Sequence, residues 1–343
     1  MVFDDSSLRA LVDPRAAAAL ALDKPIIAVC GGVRGLQGSS VVRFLVRDGI
    51  FTPRALTRDI ECPQAVELAR QGVQVVYADY DKPDTLRHAF EGAYGVFGMT
   101  NFFDHGDTER EVQQGCNLVD AAKESQISHF VWSSFEASET GDIESIDSKA
   151  RIQRYLETSG VPHTNMFFGF YMENMLLFGM KKLPDESWDM IWPYPTDLPL
   201  AVFTPTDTGG WVTAAFLDPE EWIGKSLNVC SDHVTLRQFA HVFGEIGNCT
   251  VHVHDRKLED VGTRKHEYDE NAWKLMMWII KTMDRPIQPM IELSRKLHGD
   301  MKDLRAWVSD YWRIPAKLPT FVYNIQWETV TVSETASDIA VGA

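Results

Sequence analysis

Several large protein classes are excluded by what this 343-residue chain lacks. Its cysteines, Cys30, Cys62, Cys116, Cys230 and Cys249, are five in number and scattered, with no C-x-x-C pair and no Cys/His ligand spacing. That argues against a disulfide framework or a zinc site and for free thiols in a reducing, intracellular setting. Basic charge is scarce: 33 lysines and arginines face 49 aspartates and glutamates, for a formal net charge of −16. Such a balance opposes salt-dependent attraction to nucleic-acid phosphates or an anionic membrane surface, so neither direct nucleic-acid binding nor membrane association is expected. Long hydrophobic runs are missing as well. "HTNMFFGFYMENMLLFGM" and "AWKLMMWII" are broken by polar residues and glycine or end too soon to span a bilayer. Asp4 and Asp5 stand where a secretory leader needs positive charge, and "AAAALAL" is too short for its apolar region. The expectation is a soluble, cytoplasmic chain, or a nuclear one if it regulates, large enough for one big domain or two coupled ones.

What is present is an alternation. From Lys24 to about Phe170, strand-like and helix-like runs follow one another: "PIIAVC", then "SSVVRFLVRDG", "PRALTR", "QAVELARQG", "VQVVYADY", "KPDTLRHAFEG", "AYGVFGMTN", "TEREVQQGCNLVDAAKES", "ISHFVWSS", "DSKARIQRYLETSG" and "PHTNMFFGF". Such an order predicts a parallel sheet with crossover helices, an α/β doubly wound fold. Beyond 171 prolines punctuate a loop-rich region. A helix is predicted at 207–217, a strand at "SLNVC", a helix at "TLRQFAHVFGEIG", a strand at "TVHVHD" and a mainly helical stretch over 258–313. The predicted organisation is a helical extension at 1–23, a dinucleotide-binding domain at 24–170, a smaller α/β substrate or partner domain at 171–330, and a tail at 331–343. A segment near 201–210 is a candidate to return to the main sheet.

Between the first strand and the first helix lies "CGGVRGLQGSS", with Gly32, Gly35 and Gly38 at G-x-x-G-x-x-G spacing. In a strand-to-helix turn, glycines let the backbone approach a pyrophosphate that the helix N-terminus then faces. The end of the second strand selects the nucleotide, since an acid there accepts ribose hydroxyls and a base pairs with a 2′-phosphate. "ALTRD" puts Thr57 and Arg58 at that position, and Arg34 adds a cation in the glycine loop. NADP(H) is therefore expected, with Asp59 leaving NAD(H) open. Asp79, ending the third strand, is a candidate for the adenine amino group or equally a cap for the helix that starts near Pro83. "HVH" places His252 and His254 on one strand face, but no third ligand follows at useful spacing.

Blocks in this order, "GVRGLQGSS", "ALTRD", "VVYADYDKPDTLRHAFEGAYGVFGMTNF", "QGCNLVDAAKESQISHFVWSSF", "SKARIQRYLETSGVPHTNMFFGFYMEN" and "TPTDTGG", resemble the landmarks of the NmrA-like family of atypical short-chain dehydrogenases/reductases. The resemblance spans about 25–255. It implies a Rossmann domain with a smaller α/β domain and a ligand between them. It further implies that Gly32, Gly35, Leu36, Gln37 and Gly38 hold the pyrophosphate and that Thr57–Arg58 meets the adenosine ribose or its phosphate. Thr100 and Asn101 would line the cofactor path, and Phe168 and Gly169 would approach the nicotinamide. Arg34 departs from the small residue or threonine usual in the family.

The resemblance places Lys149 at the family's lysine, but four residues earlier stands Ser145 instead of the tyrosine that ordinary short-chain dehydrogenases use as acid. Ser133 and Ser134 end the fifth strand, where the hydroxyl partner belongs. Two functions follow. In one, an oxidoreductase acts on a small conjugated or aromatic substrate, with Lys149 as proton donor or base and as ribose ligand, assisted by Ser134 and by Tyr171 or His163; plant isoflavone and phenylcoumaran benzylic ether reductases resemble this arrangement. In the other, the protein binds dinucleotide without turnover and signals redox state to a protein partner, as implied by the family's namesake, a regulator of a GATA-type transcription factor. Trp188, Trp192, Trp211, Phe203, Met276, Met277 and Trp278 are candidates either for a flat apolar pocket or for core.

Overall fold

The computed structural model describes residues 24–192, 194–263, 265, 270–282 and 286–313. The extension predicted at 1–23 and the tail at 331–343 lie outside the described residues. The first half follows the predicted alternation: β1 (Ile26–Val29), α1 (Leu36–Asp48), β2 (Thr52–Thr57), α2 (Pro63–Arg70), β3 (Gln74–Tyr77), α3 (Pro83–Phe90), β4 (Ala93–Gly98), α4 (Thr108–Glu124), β5 (His129–Ser134), α5 (Glu144–Ser159) and β6 (His163–Phe168). These strands form a parallel sheet with the order β6-β5-β4-β1-β2-β3. Both faces are covered, which is why the central strands read as continuous apolar runs such as "IIAV" and "HFVW". The crossovers put α1 and α2 against one face, where Val41, Val42, Leu45 and Ala65 join a core with Ile27, Val29 and Val131. On the other face α3, α4 and α5 bury Leu86, Phe90, Leu118, Val119, Ile152 and Leu156 against Ala28, Val96 and Phe130. This is the Rossmann-type doubly wound arrangement.

Helix ends follow local chemistry. Gly49 closes α1 at φ +65, the left-handed conformation that spares glycine the Cβ clash, and its N–H bonds Leu45 O. Pro83 opens α3 at a position whose N–H has no helical partner anyway.

Beyond β6 the chain is more regular than the predicted loop-rich region, though its elements are mostly shorter than those of the first half. The described elements are β7 (Phe170–Tyr171), α6 (Met172–Gly179), β8 (Met180–Lys182), β9 (Trp188–Met190), β10 (Leu200–Phe203), α7 (Thr208–Leu217), α8 (Pro219–Trp222), β11 (Ser226–Val229), β12 (Asp232–Val234), α9 (Leu236–Gly247), β13 (Val251–Val253), α10 (Leu258–Thr263), α11 (Glu270–Thr282), α12 (Ile287–Leu297) and α13 (Leu304–Arg313). Helix α6 was hidden in an apolar run; Met172, Met175 and Leu176, at i, i+3 and i+4, are its buried stripe.

The segment that returns to the main sheet is β11, parallel to β6 as seventh strand, and not the 201–210 region. Strand β10, beginning that region, pairs instead with β7 and β12 in a three-stranded sheet, and β13-β9-β8 form another. Both candidates are short apolar runs, and pairing between distant segments leaves no mark in either one. Trp192, Leu200, Val202, Phe239, Phe243, Met276 and Trp307 form the core of this region. Fully burying one such side chain contributes roughly 1.5–3 kcal/mol. Trp211 and Phe203 are fully buried with Phe168 in the first core. The aromatic and methionine content read as a candidate pocket thus serves largely as core.

The "TPTDTGG" block clamps this half to α1. Ser40 Oγ donates to Thr206 O (2.6 Å) and accepts from Gly209 N–H (3.0 Å), while Arg43 also donates to Thr206 O (3.0 Å). A Cβ on Gly209 would sit 2.5 Å from Ser40 O, so only glycine permits this approach of α7 to α1.

Candidate functional site

In a parallel sheet every strand ends on the same edge, and here the carboxyl ends of β1, β2, β4, β5 and β6 collect the predicted residues. Between β1 and α1 the backbone turns at Gly31, whose φ of +63 is the one left-handed residue of the loop. The three spaced glycines serve close packing around that turn: a Cβ on Gly32 would lie 3.0 Å from Ala55, one on Gly35 2.8 Å from Gly31 O, and one on Gly38 2.5 Å from the Gly31 carbonyl. Gly35 is the N-cap of α1 and provides no side-chain acceptor, and no acid occupies the first turn that Leu36 and Gln37 begin. A helix N-terminus without side-chain cap or carboxylate suits an anionic ligand. Buried Gln37 reaches across the sheet edge, accepting from Ser133 Oγ at 2.7 Å.

Around this loop lie the cations. Arg58 follows β2 and pairs with Asp104 at 2.9 Å; Arg34 pairs with Asp59 at 3.0 Å. All four side chains are substantially exposed. Thr57 Oγ1 accepts from Asp59 N–H (3.0 Å) and shapes the turn after β2. Asp79 accepts from Asp81 N–H (3.1 Å) and pairs with Lys82 (3.0 Å), so it shapes the turn ahead of α3 but does not cap that helix, whose N-cap is Lys82 without a side-chain cap. Asn101 Nδ2 donates to Asp104 (2.7 Å). Beside it Thr100 is buried, and its Oγ1 has no hydrogen-bond partner among the described residues. A buried hydroxyl without a partner is costly unless a ligand or water supplies one.

The predicted acid–base group is engaged. Lys149, on the first turns of α5, is buried, and its Nζ lies 2.5 Å from Glu111 Oε1 of α4; Ser148 Oγ donates to the other carboxylate oxygen. Glu111 is fully buried. The sequence reading missed it, although a signal exists: Glu111, Gly115, Leu118 and Ala122 share one helical stripe, and a carboxylate on a buried stripe needs a cation, hydrogen-bond donors or a proton. Ser134 Oγ donates to Gln153 Oε1 at 2.8 Å. Ser145, four residues before Lys149, is buried in the first turn of α5.

Phe168 ends β6 and stacks on Phe203 at 5.2 Å. Gly169 follows, with Ala201 O 2.6 Å from where its Cβ would be, so the crossing to β7 needs glycine. Tyr171 packs edge-on to Phe203 at 5.1 Å, and its neighbourhood is aromatic. His163 begins β6, bonding Val161 O at 2.8 Å; it sits at the opposite end of the strand from Phe168 and is not with the other candidates.

Two residues past Tyr171, Glu173 is a second buried acid. Its Oε1 accepts from Thr204 Oγ1 (2.6 Å) and Trp307 Nε1 (3.0 Å), and its Oε2 has no partner among the described residues. Burial pushes its carboxyl up to about 7, partly offset by those hydrogen bonds. Among the described residues no cluster of three His, Cys, Asp or Glu could hold a metal, and His254 is tied to Asp189. No described helix is long and apolar enough to cross a membrane. All five cysteines are free thiols.

Comparison with known proteins gives a consistent picture. Residues 23–262 match the model of the NmrA-like family. An NmrA-like family domain-containing oxidoreductase of Aspergillus hancockii is 31% identical over 239 residues, covering 63% of this chain and 70% of that protein. Among solved structures, NmrA, a negative transcriptional regulator, in complex with NADP superposes with a TM-score of 0.71 at 21% identity, over 88% of this chain and 99% of that one; it has also been solved with NAD. The Citrobacter sp. triphenylmethane reductase complexed with NADP(H) superposes with a TM-score of 0.65 at 19% identity, over 83% and 99% of the two chains. At those identities the structures speak to the fold, and the family match speaks to kinship: the chain belongs to the NmrA-like family.

Proposed function

We propose that this protein is an NADP(H)-dependent oxidoreductase that moves a hydride to or from a small, conjugated or aromatic organic substrate. The observation that carries the reading is the carboxyl sheet edge itself. A glycine turn, a helix N-terminus free of side-chain caps, two arginines beside β2 and the unpartnered Thr100 hydroxyl converge there. Gly32, Gly35, Leu36, Gln37 and Gly38 would hold the pyrophosphate, Arg58 and Arg34 the 2′-phosphate, Thr100, Asn101 and Ser133 the path toward the nicotinamide, and Phe168 and Gly169 its ring. The nicotinamide supplies or accepts the hydride when bound. Lys149 holds the ribose and handles the substrate proton, with Glu111 fixing its ammonium in place; Tyr171 and Ser134 are the other candidate catalytic groups. Kinship to oxidoreductases supports the reaction class.

The second reading is a dinucleotide-binding redox sensor that regulates a protein partner. It is favoured by one feature: the ammonium of Lys149 and the hydroxyl of Ser134 both face protein partners, and Ser145 stands in place of the tyrosine.

The deciding experiment titrates the protein calorimetrically with NADPH, NADP⁺, NADH and NAD⁺, then follows NADPH absorbance with quinones and enones. Tight binding that favours the phosphorylated pair, with turnover that Lys149→Ala reduces by roughly 100-fold or more while NADPH still binds, supports the enzyme. Binding without turnover across the panel supports the sensor, and no binding to any of the four nucleotides sinks both.

A further inference from the structure

Two ion pairs cross the sheet edge where the adenosine half of a dinucleotide belongs. Arg34 of the glycine loop reaches Asp59 beyond β2, and Arg58 beyond β2 reaches Asp104 beyond β4. Asp104 does double service: one carboxylate oxygen accepts from Arg58 and the other from Asn101 Nδ2 at 2.7 Å. It thus joins the ends of β2 and β4. Asp59 is bound more deeply into its own turn, since its Oδ1 also accepts from Glu61 N–H and its backbone meets Thr57 Oγ1.

A guanidinium offers a planar fork of donors that a carboxylate or a phosphate can occupy. For the same fork the two anions are rivals, and a phosphate dianion near an unneutralised aspartate is also repelled by it. We propose that Asp104 is a specificity-determining residue. It occupies Arg58 and, by competing with a 2′-phosphate for that guanidinium, narrows the preference for NADP(H) over NAD(H). The inference rests on the reading that Arg58 receives the 2′-phosphate. It adds that the preference is set against Asp104, a residue of the turn after β4 and remote in sequence from the β2 end where nucleotide choice is ordinarily sought. Because the pair is exposed, the effect is modest and shrinks with salt.

The test uses the full chain at low ionic strength. NADPH and NADH affinities are measured for the wild type, Asp104→Asn, Arg58→Ala and the double variant. The asparagine keeps a carbonyl for Asn101 and removes only the charge. The expected result is NADPH bound roughly 2–5-fold tighter by Asp104→Asn, with NADH unchanged, and no such gain in the Arg58→Ala background. Unchanged or weaker NADPH binding by Asp104→Asn, or equal tightening of both nucleotides, overturns the role of Asp104, while loss of NADPH preference in Arg58→Ala leaves the underlying reading standing. Retained NADPH preference in Arg58→Ala removes that reading and this inference together.

Discussion

Among the described residues each half of the molecule buries one glutamate, and α1 in the first half and α9 in the second both start beside a sheet, yet the two halves treat both features differently. In the first half Glu111 has a lysine against it and α1 begins at a glycine that caps nothing. In the second, Glu173 meets only neutral donors, and α9 begins with a complete capping box: Thr235 accepts from Gln238 N–H while Gln238 accepts from Thr235 N–H. The buried ion pair and the uncapped start of α1 both belong to the carboxyl edge of the main sheet, to which the proposed function assigns an anionic ligand and a proton-handling group. A buried ion pair is seldom a stabilising bargain compared with apolar packing, so its presence at that edge points to use rather than stability.

Removing one carboxylate charge from each half makes the contrast measurable. Glu111→Gln strands the Lys149 ammonium in a buried site, and the expected loss is about 3–5 kcal/mol in urea unfolding. A loss below about 1 kcal/mol shows that Lys149 finds water or another partner and that the pair is not a true buried charge pair. Glu173→Gln should act in the opposite direction. The folded-state carboxyl, at about 7, lies above its unfolded value near 4.5, so the native state holds the proton more tightly. Wild-type stability is therefore greatest below the unfolded value and falls as pH rises from about 4.5 through 7. Glutamine still accepts from Thr204 and Trp307 and has nothing to ionise. The variant should match the wild type near pH 5 and exceed it by about 2–3 kcal/mol at pH 8. Unfolding midpoints at those two values decide it; parallel pH dependence in both proteins means that another group, such as Asp207, whose charge acts on Glu173, carries the titration.

The first half was legible because its signals are local. "PIIAVC", the glycines and "SSVVRFLVRDG" each specify their element within a dozen residues, and a strand-to-helix glycine turn fixes which sheet edge matters. Of the residues named, Ser133 meets Gln37 across that edge, Ser134 bonds Gln153 and Tyr171 packs on Phe203, while His163 lies at the far end of β6. What escaped was pairing. That Lys149 has a carboxylate from α4 38 residues away, or that β11 and not the 201–210 region joins β6, depends on how helices and strands dock. Gly31 shows the same limit at short range: the G-x-x-G-x-x-G pattern names Gly32, Gly35 and Gly38, yet the positive φ that allows the turn belongs to the glycine just before them. Prolines and short apolar runs in the second half fit several sheets, so of its two small sheets only β13, at "TVHVHD", was legible as a strand.

The helix ends give the smallest effect and the cleanest separation of binding from stability. Thr235→Ala removes the acceptor for Gln238 N–H and one arm of the box, and caps of this kind contribute about 1 kcal/mol. The expected outcome is a loss of that size in urea unfolding with dinucleotide affinity unchanged, because α9 packs with α13 and β13, away from the glycine loop. At α1 no side chain takes the same donors, and the proposed function gives them to a ligand. If Thr235→Ala weakened NADPH binding as much as it weakened the fold, the division between a capped structural helix and an uncapped binding helix would be wrong, and α9 would have to contribute to the ligand site through the Thr204–Glu173–Trp307 cluster that links its core to α7.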